Sequence, residues 1–282
     1  MTPRTETVGV RVGELEVLVW DAESPAHGDQ AAPTVVALHG FPESAWEWRS
    51  VAEILAAAGI RVVAPMQRGY SPGARPTAVE DYSIERLTED VLTVVEHFGL
   101  GPVHLLGHDW GASVAWWIAG HHPHRLASMV AVSVPHLEAF ADALAADPDQ
   151  QERSAYFALF RQAGKAEDVL LEDGAQRLKA MFGGDVPEDL MAAHLEMIGN
   201  REGLTGALNW YRAMRRYAVP DVTVPTTLIW GEQDLAISRS GAEATADRMA
   251  ADYRFVPVAG EGHWLPETRP DLIATEVLGR IR

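Results

Sequence analysis

LLGHDWGASVAW, Leu105 to Trp116, is the stretch that organises the rest of the chain. VHLLGHD (103–109) is a short apolar run predicted to be a strand, and WGASVAWWIAGHHP (110–123) a helix halted by Pro123. The junction has the form G-x-Asp-x-G. Gly107 and Gly111 permit a tight strand-to-helix turn and close helix packing, which thrusts Asp109 outward. A hydrolase built on this turn usually carries serine at that point. Carboxylates attack esters and amides poorly but can displace at a saturated carbon.

Outward from this turn, strand-like and helix-like segments alternate. Strands are expected at 8–12, 14–20, 34–40, 60–65, 103–109 and 126–135, the first two as an antiparallel pair. Helices are expected at 46–58, at 83–99 behind a capping Ser83, and at 110–123. Residues 137–219 break the rhythm, with helix-like pieces near 151–163, 173–182, 187–199 and 204–216. Alternation resumes with strands at 224–231 and 253–260, a helix around 238–250 and another from Pro270. The implied fold class is α/β, a mostly parallel eight-stranded sheet flanked by helices. Residues 1–136 and 220–282 form the expected core, and 137–219 an inserted helical cap.

Composition narrows the function. The 282 residues carry 23 Lys and Arg against 40 Asp and Glu, a net charge of −17, which disfavours nucleic acid and anionic membranes as partners. Cysteine is absent, excluding disulfides, thiolate nucleophiles and cysteine-ligated metals. No apolar run is long enough to span a membrane, and the N-terminus lacks a secretory pattern, so a cytoplasmic protein is expected. His121, His122 and His124 cluster around Pro123, but their spacing fits no standard metal site and suits a helix C-terminus; no metal is expected.

In an open parallel sheet, ligands bind beyond the carboxyl ends of the strands. Four polar sites follow predicted strands: His39-Gly40-Phe41-Pro42, Asp109, Asp234 and His263. Nucleophile, acid, histidine is the chain order of the α/β-hydrolase fold. Asp109 at a helix start is a nucleophile kept ionised by the helix amides. His263 is the base, oriented by Asp234, and the backbone N–H groups of Phe41 and Trp110 form an oxyanion hole. An isolated G-x-D-x-G would more often be a mere helix cap; the joint placement of the four sites is what argues for chemistry.

The chain resembles the α/β-hydrolase-fold epoxide hydrolases over nearly its whole length. The matching pieces are HGFPES (39–44), RGYS (68–71), GHDWG (107–111), LNWYRAM (208–214), WGEQD (230–234) and GHWLPETRP (262–270). The resemblance implies that Asp109 opens an epoxide to form an alkyl ester, which water activated by His263 then hydrolyses to a diol, with no cofactor. It further implies two cap tyrosines that protonate the epoxide oxygen; Tyr211 fits the motif, Tyr156 lies where the second belongs, and Tyr217 is the spare candidate. His39, Pro42, His136, Trp210 and Trp264 are the expected substrate-binding residues.

Three positions depart from the family pattern. Met66 stands where relatives usually carry Asp, Ala112 replaces a common second Gly, and Ala45 replaces a large aromatic residue, which would enlarge the pocket. The rival readings are a dehalogenase using the same Asp–His–Asp set and a non-catalytic binding protein on the same fold. Phe41 in place of the halide-binding Asn, and no arginine just after Asp109, weigh against dehalogenation. The expected partner is a small-molecule epoxide, with the chain a monomer or homodimer.

Overall fold

The computed structural model describes residues 1–23 and 32–282. Eight strands form one sheet in the order β1-β2-β4-β3-β5-β6-β7-β8. They are β1 (Arg4–Val10), β2 (Gly13–Trp20), β3 (Thr34–Leu38), β4 (Arg61–Pro65), β5 (Val103–His108), β6 (Leu126–Val132), β7 (Thr226–Gly231) and β8 (Tyr253–Val258). β1 and β2 pair antiparallel, as do β2 and β4; every pairing from β4 to β8 is parallel.

Burial explains the strand sequences. TVVAL of β3 is buried along its whole length, as interior parallel strands covered on both faces must be. Successive residues feed opposite faces: Val36, Leu38 and Leu105 join one apolar core with Trp116, while Val35, Ala37 and Leu106 join the other with Trp20 and Trp48.

Helices α1 (Arg49–Ala57), α2 (Ile84–His97) and α3 (Trp110–His121) follow β3, β4 and β5. α2 turns Ile84, Leu87, Val91, Val94 and Val95 inward, the spacing of an amphipathic helix. Ser83 occupies its N-cap, but the side chain makes no capping bond; the backbone carbonyl accepts from the Arg86 and Leu87 amides instead. α3 is apolar nearly all round because it is sunk into the core, with Trp116 fully buried.

Between β6 and β7 come α4 (Leu137–Ala146), α5 (Pro148–Arg153), α6 (Phe157–Phe160), α7 (Lys165–Ala180), α8 (Glu188–Ile198) and α9 (Arg201–Ala213). The single helix expected over 151–163 is broken: α5 stops at Arg153 and a turn carries Tyr156 into α6. The helix expected from 173 lies in the second half of α7, which is interrupted by left-handed backbone at Asp173, Gly174 and Ala175. α10 (Arg239–Ala244), α11 (Leu265–Thr268) and α12 (Pro270–Ile281) complete the chain. α10 is shorter than the expected 238–250 because a 3-10 turn takes over at Thr245.

α9 is fixed to the loop after β4. The indole of Trp210 donates to the Arg68 carbonyl at 2.9 Å. A β-carbon on Gly206 would fall 2.7 Å from the Gly69 Cα, so the two backbones touch only because both residues lack side chains. Arg68 is itself buried, with a two-pronged bond to Asp90 at 2.7 and 2.8 Å.

Candidate active site

Asp109 sits between β5 and α3 with φ 48° and ψ −119°, a left-handed conformation rare for a residue with a side chain. Such strain is characteristic of functional turns. Its neighbours permit it: a β-carbon on Gly107 would lie 2.6 Å from the Gly111 carbonyl oxygen, and one on Gly111 only 2.0 Å from that of Leu38. Gly40 is equally constrained, since a β-carbon there would lie 2.3 Å from the Asp109 Cβ.

The structure brings Asp109, Asp234 and His263 together. His263 Nδ1 is 2.9 Å from Asp234 Oδ2 and 3.0 Å from Oδ1, while Nε2 faces Asp109 Oδ2 at 3.7 Å. Asp234 is fully buried, and its Oδ1 accepts the Ala236 and Ile237 amides at 2.7 and 3.0 Å. Phe41, which enters a cis peptide bond with Pro42, donates its amide to Asp109 Oδ1 at 2.8 Å. Trp110 opens α3, so its amide has no acceptor within the helix and stays available at the helix N-terminus.

These contacts set the charges. Burial opposes ionisation of Asp109, but the His263 imidazole and the Phe41 amide outweigh it and hold the carboxyl below its ordinary range. Asp234 is also held low against burial, by His263, Ser133 and the Ala236 amide. Burial disfavours imidazolium at His263, yet the flanking carboxylates raise it well above its ordinary value.

Ser133, just past β6, is a site residue that the sequence reading missed. Its hydroxyl is bonded to Asp234 Oδ2 and lies 2.8 Å from His263 Nδ1, with its backbone in the left-handed region. The available signal was a polar residue directly after a buried apolar strand, the position shared by Asp109 and Asp234.

A cavity of about 420 Å³ opens over Asp109. Trp110, Tyr156 and Tyr211 line it, with Leu137, Phe140, Leu144 and Phe157 as apolar wall and Arg161, Arg215 and Arg216 also present. The Tyr156 and Tyr211 rings lie 6.1 Å apart, and Tyr211 also packs edge-on to Phe41 and Trp110. Burial pushes both phenols above their usual range, so they are neutral donors at physiological pH. Tyr217 lines the cavity as well.

The five expected substrate-binding residues lie outside this lining. His39 is fully buried, with Nδ1 donating to the Gly40 carbonyl and Nε2 accepting the Gln67 amide at 3.1 Å; burial lowers its pKa to about 4. It is a neutral strut between two loops. Pro42 is buried behind Phe41. His136 caps α4 by accepting the Glu138 amide and packs on Trp116. Trp210 packs between Tyr70 and Trp110, and Trp264 backs His263 among Phe182, Val186 and Leu190. Ala45 lies in the core beside Trp48 and so cannot enlarge the cavity. Met66 belongs to that same core, with its amide bonded to the Glu16 carbonyl at 2.8 Å.

A parallel sheet interrupted by helices, with an acidic nucleophile elbow, a histidine and a second acid beyond its strand ends, defines an α/β hydrolase. The sequence profile of the alpha/beta hydrolase fold matches residues 33–270. Epoxide hydrolase A of Mycobacterium tuberculosis is 31% identical over 97% of this chain and 94% of its own length. The AB hydrolase superfamily protein YfhM of Bacillus subtilis is 32% identical over 90% of this chain and 91% of its own. The crystal structure of epoxide hydrolase A from Mycobacterium thermoresistibile superposes with a TM-score of 0.84 at 28% identity, covering 100% of this chain and 98% of that one. The chain belongs to the α/β-hydrolase family, in its epoxide hydrolase branch, and is a hydrolase. No helix among the described residues is long and apolar enough to cross a membrane.

Proposed function

We propose that this protein hydrolyses a small-molecule epoxide to a vicinal diol through an ester on Asp109. The observation that carries the reading is one cavity lined by both a carboxylate on strained backbone, Asp109, and two phenols, Tyr156 and Tyr211. An epoxide needs both at once: a nucleophile behind the carbon and a proton donor at the oxygen.

An Asp109 oxygen attacks one ring carbon; that carbon–oxygen bond breaks, and the alkoxide takes a proton from Tyr156 or Tyr211. The Asp109 charge is consumed in the ester, which removes one of the two carboxylates that raise the His263 pKa. Neutral His263 is then the base that takes a proton from water, with Asp234 orienting it through Nδ1. Hydroxide adds to the ester carbonyl, and the oxyanion is held by the amides of Phe41 and Trp110. Collapse releases the diol and restores Asp109. The proton taken by His263 reprotonates the phenolate. No cofactor enters the cycle.

We read residues 137–219 as the cap that supplies the phenols and apolar walls, and 1–136 with 220–282 as the core that supplies the triad. The acidic, cysteine-free chain suits a cytoplasmic enzyme. Repeated turnover in heavy-oxygen water tests the mechanism: the label enters the peptide containing Asp109. Label confined to the diol overturns it, because water then attacks the epoxide directly.

A further inference from the structure

Ser133 touches both members of the acid–base pair from the end of β6. It is fully buried, and its hydroxyl is bonded to Asp234 Oδ2 and lies 2.8 Å from His263 Nδ1. Its backbone has φ 70°, a conformation in which glycine is at ease and a residue with a side chain is strained. The Ser133 amide donates across the sheet to the Ile229 carbonyl of β7 at 2.7 Å, and the Val134 amide turns back to the Val132 carbonyl at 2.9 Å. The hydroxyl is thus mounted beside β7, the strand whose following loop carries Asp234. A strained serine where glycine would fit calls for a use of the hydroxyl.

The hydrogen positions define that use. Asp234 Oδ1 accepts the Ala236 and Ile237 amides, while Oδ2 is shared by the Ser133 hydroxyl and His263 Nδ1. A hydroxyl has one hydrogen and an ionised carboxylate can only accept, so the hydrogen lies on the Asp234 side and an oxygen lone pair faces Nδ1. Nδ1 keeps its own hydrogen whether the imidazole is neutral or charged, because the proton that comes and goes is on Nε2, which faces Asp109. The lone pair therefore favours neither state strongly. The hydrogen on Oδ2 does discriminate: it draws off part of the carboxylate charge that stabilises imidazolium.

The other groups around the pair act differently. Asp109, from the elbow, favours a proton on His263 as Asp234 does. His108, at the end of β5, donates Nε2–H to the His263 carbonyl, its ring centroid 4.9 Å from that of His263. Glu267 of α11, with Glu43 and Glu47 beyond His108, is kept protonated by burial. Arg153 of α5 binds the backbone carbonyl of Asp234, and the Tyr156 phenol is neutral. We infer that Ser133 is a positioning residue that tempers Asp234: its hydroxyl limits how tightly the acid holds a proton on His263 and so keeps the imidazole available as a base. The catalytic meaning rests on the proposed epoxide hydrolysis; the effect on His263 itself does not.

The test is a nitrogen NMR titration of His263 in the full-length chain, wild type against Ser133→Gly and Ser133→Ala. Glycine suits φ 70°, so the hydroxyl is lost without new strain. The His263 midpoint is expected to rise in both variants by about half a unit to one unit, a roughly threefold to tenfold tighter hold on the proton. The pH profile of ester hydrolysis, followed after alkylation by an epoxide, moves up with it. A midpoint that stays in place or falls overturns the inference. So does a hydrolysis rate lowered equally at every pH with the profile unmoved, the mark of a merely structural serine. The titration needs no substrate, so a wild-type chain that no epoxide alkylates ends the epoxide reading while the midpoint still decides the part played by Ser133.

Discussion

His263 Nε2 stands 3.7 Å from Asp109 Oδ2, beyond hydrogen-bond range, while its Nδ1 is bonded to Asp234 at 2.9 Å. The imidazole is thus held by Asp234 on one side and leaves Nε2 unbonded on the side of Asp109. In the proposed cycle that is where Nε2 would activate water against an ester on Asp109.

Removing the base should stop the cycle halfway. His263→Ala retains Asp109 and the two phenols, so ring opening proceeds and the ester accumulates. Intact mass after incubation with a turned-over epoxide is expected to rise by the mass of that epoxide. An unmodified mass would deny His263 the hydrolytic role.

In the proposed cycle the phenols act earlier. Tyr156→Phe together with Tyr211→Phe deletes both donors while keeping the rings, and alkylation of Asp109 should slow by roughly 100- to 10,000-fold, the usual range for general acid catalysis. Single-turnover measurement separates this from hydrolysis. Unchanged alkylation would mean that the epoxide oxygen is protonated elsewhere.

The raised pKa of His263 has a defined sign. Its contribution to stability is complete below the unfolded value of 6.5 and is lost as pH rises through the higher folded value. Asp109→Asn removes one of the carboxylates responsible. Imidazole titration followed by NMR should show the His263 midpoint moved down in this variant, and the alkaline loss of stability should begin at lower pH. A midpoint that stays put would show that Asp234 alone sets it.

Gly40→Ala tests the tightness of the elbow. The added carbon would lie 2.3 Å from the Asp109 Cβ, so the loop after β3 must shift. Overpacking of this kind costs about 1–3 kcal/mol, and the displaced Phe41 amide should also lower the hydrolysis rate. Denaturant unfolding together with single-turnover kinetics reads both effects. A stable, fully active variant would show that the loop yields freely.

The interior of the sheet was legible because its strands are short, largely apolar runs such as TVVAL and LASMVAV. Asp109, Asp234 and His263 were legible because each follows such a run. The break between α5 and α6 was not, since neither proline nor glycine marks it. Nor were His39 and Trp210 as internal struts: a motif shows which residues are present, while the direction a ring faces depends on distant partners such as Gln67 and Arg68. Ser133 belongs to the same class, since its partners Asp234 and His263 lie far away in sequence.

The seating of α9 has a consequence for how the two phenols are held. With Trp210 bonded to the Arg68 carbonyl and Gly206 pressed on Gly69, the helix bearing Tyr211 is anchored to the foundation. Tyr156, by contrast, rides on a short turn between two brief helices and is only half-buried. The two tyrosines therefore sit on mountings of unequal support. One is tied to the loop after β4, while the other is carried by a short turn that reaches the surface.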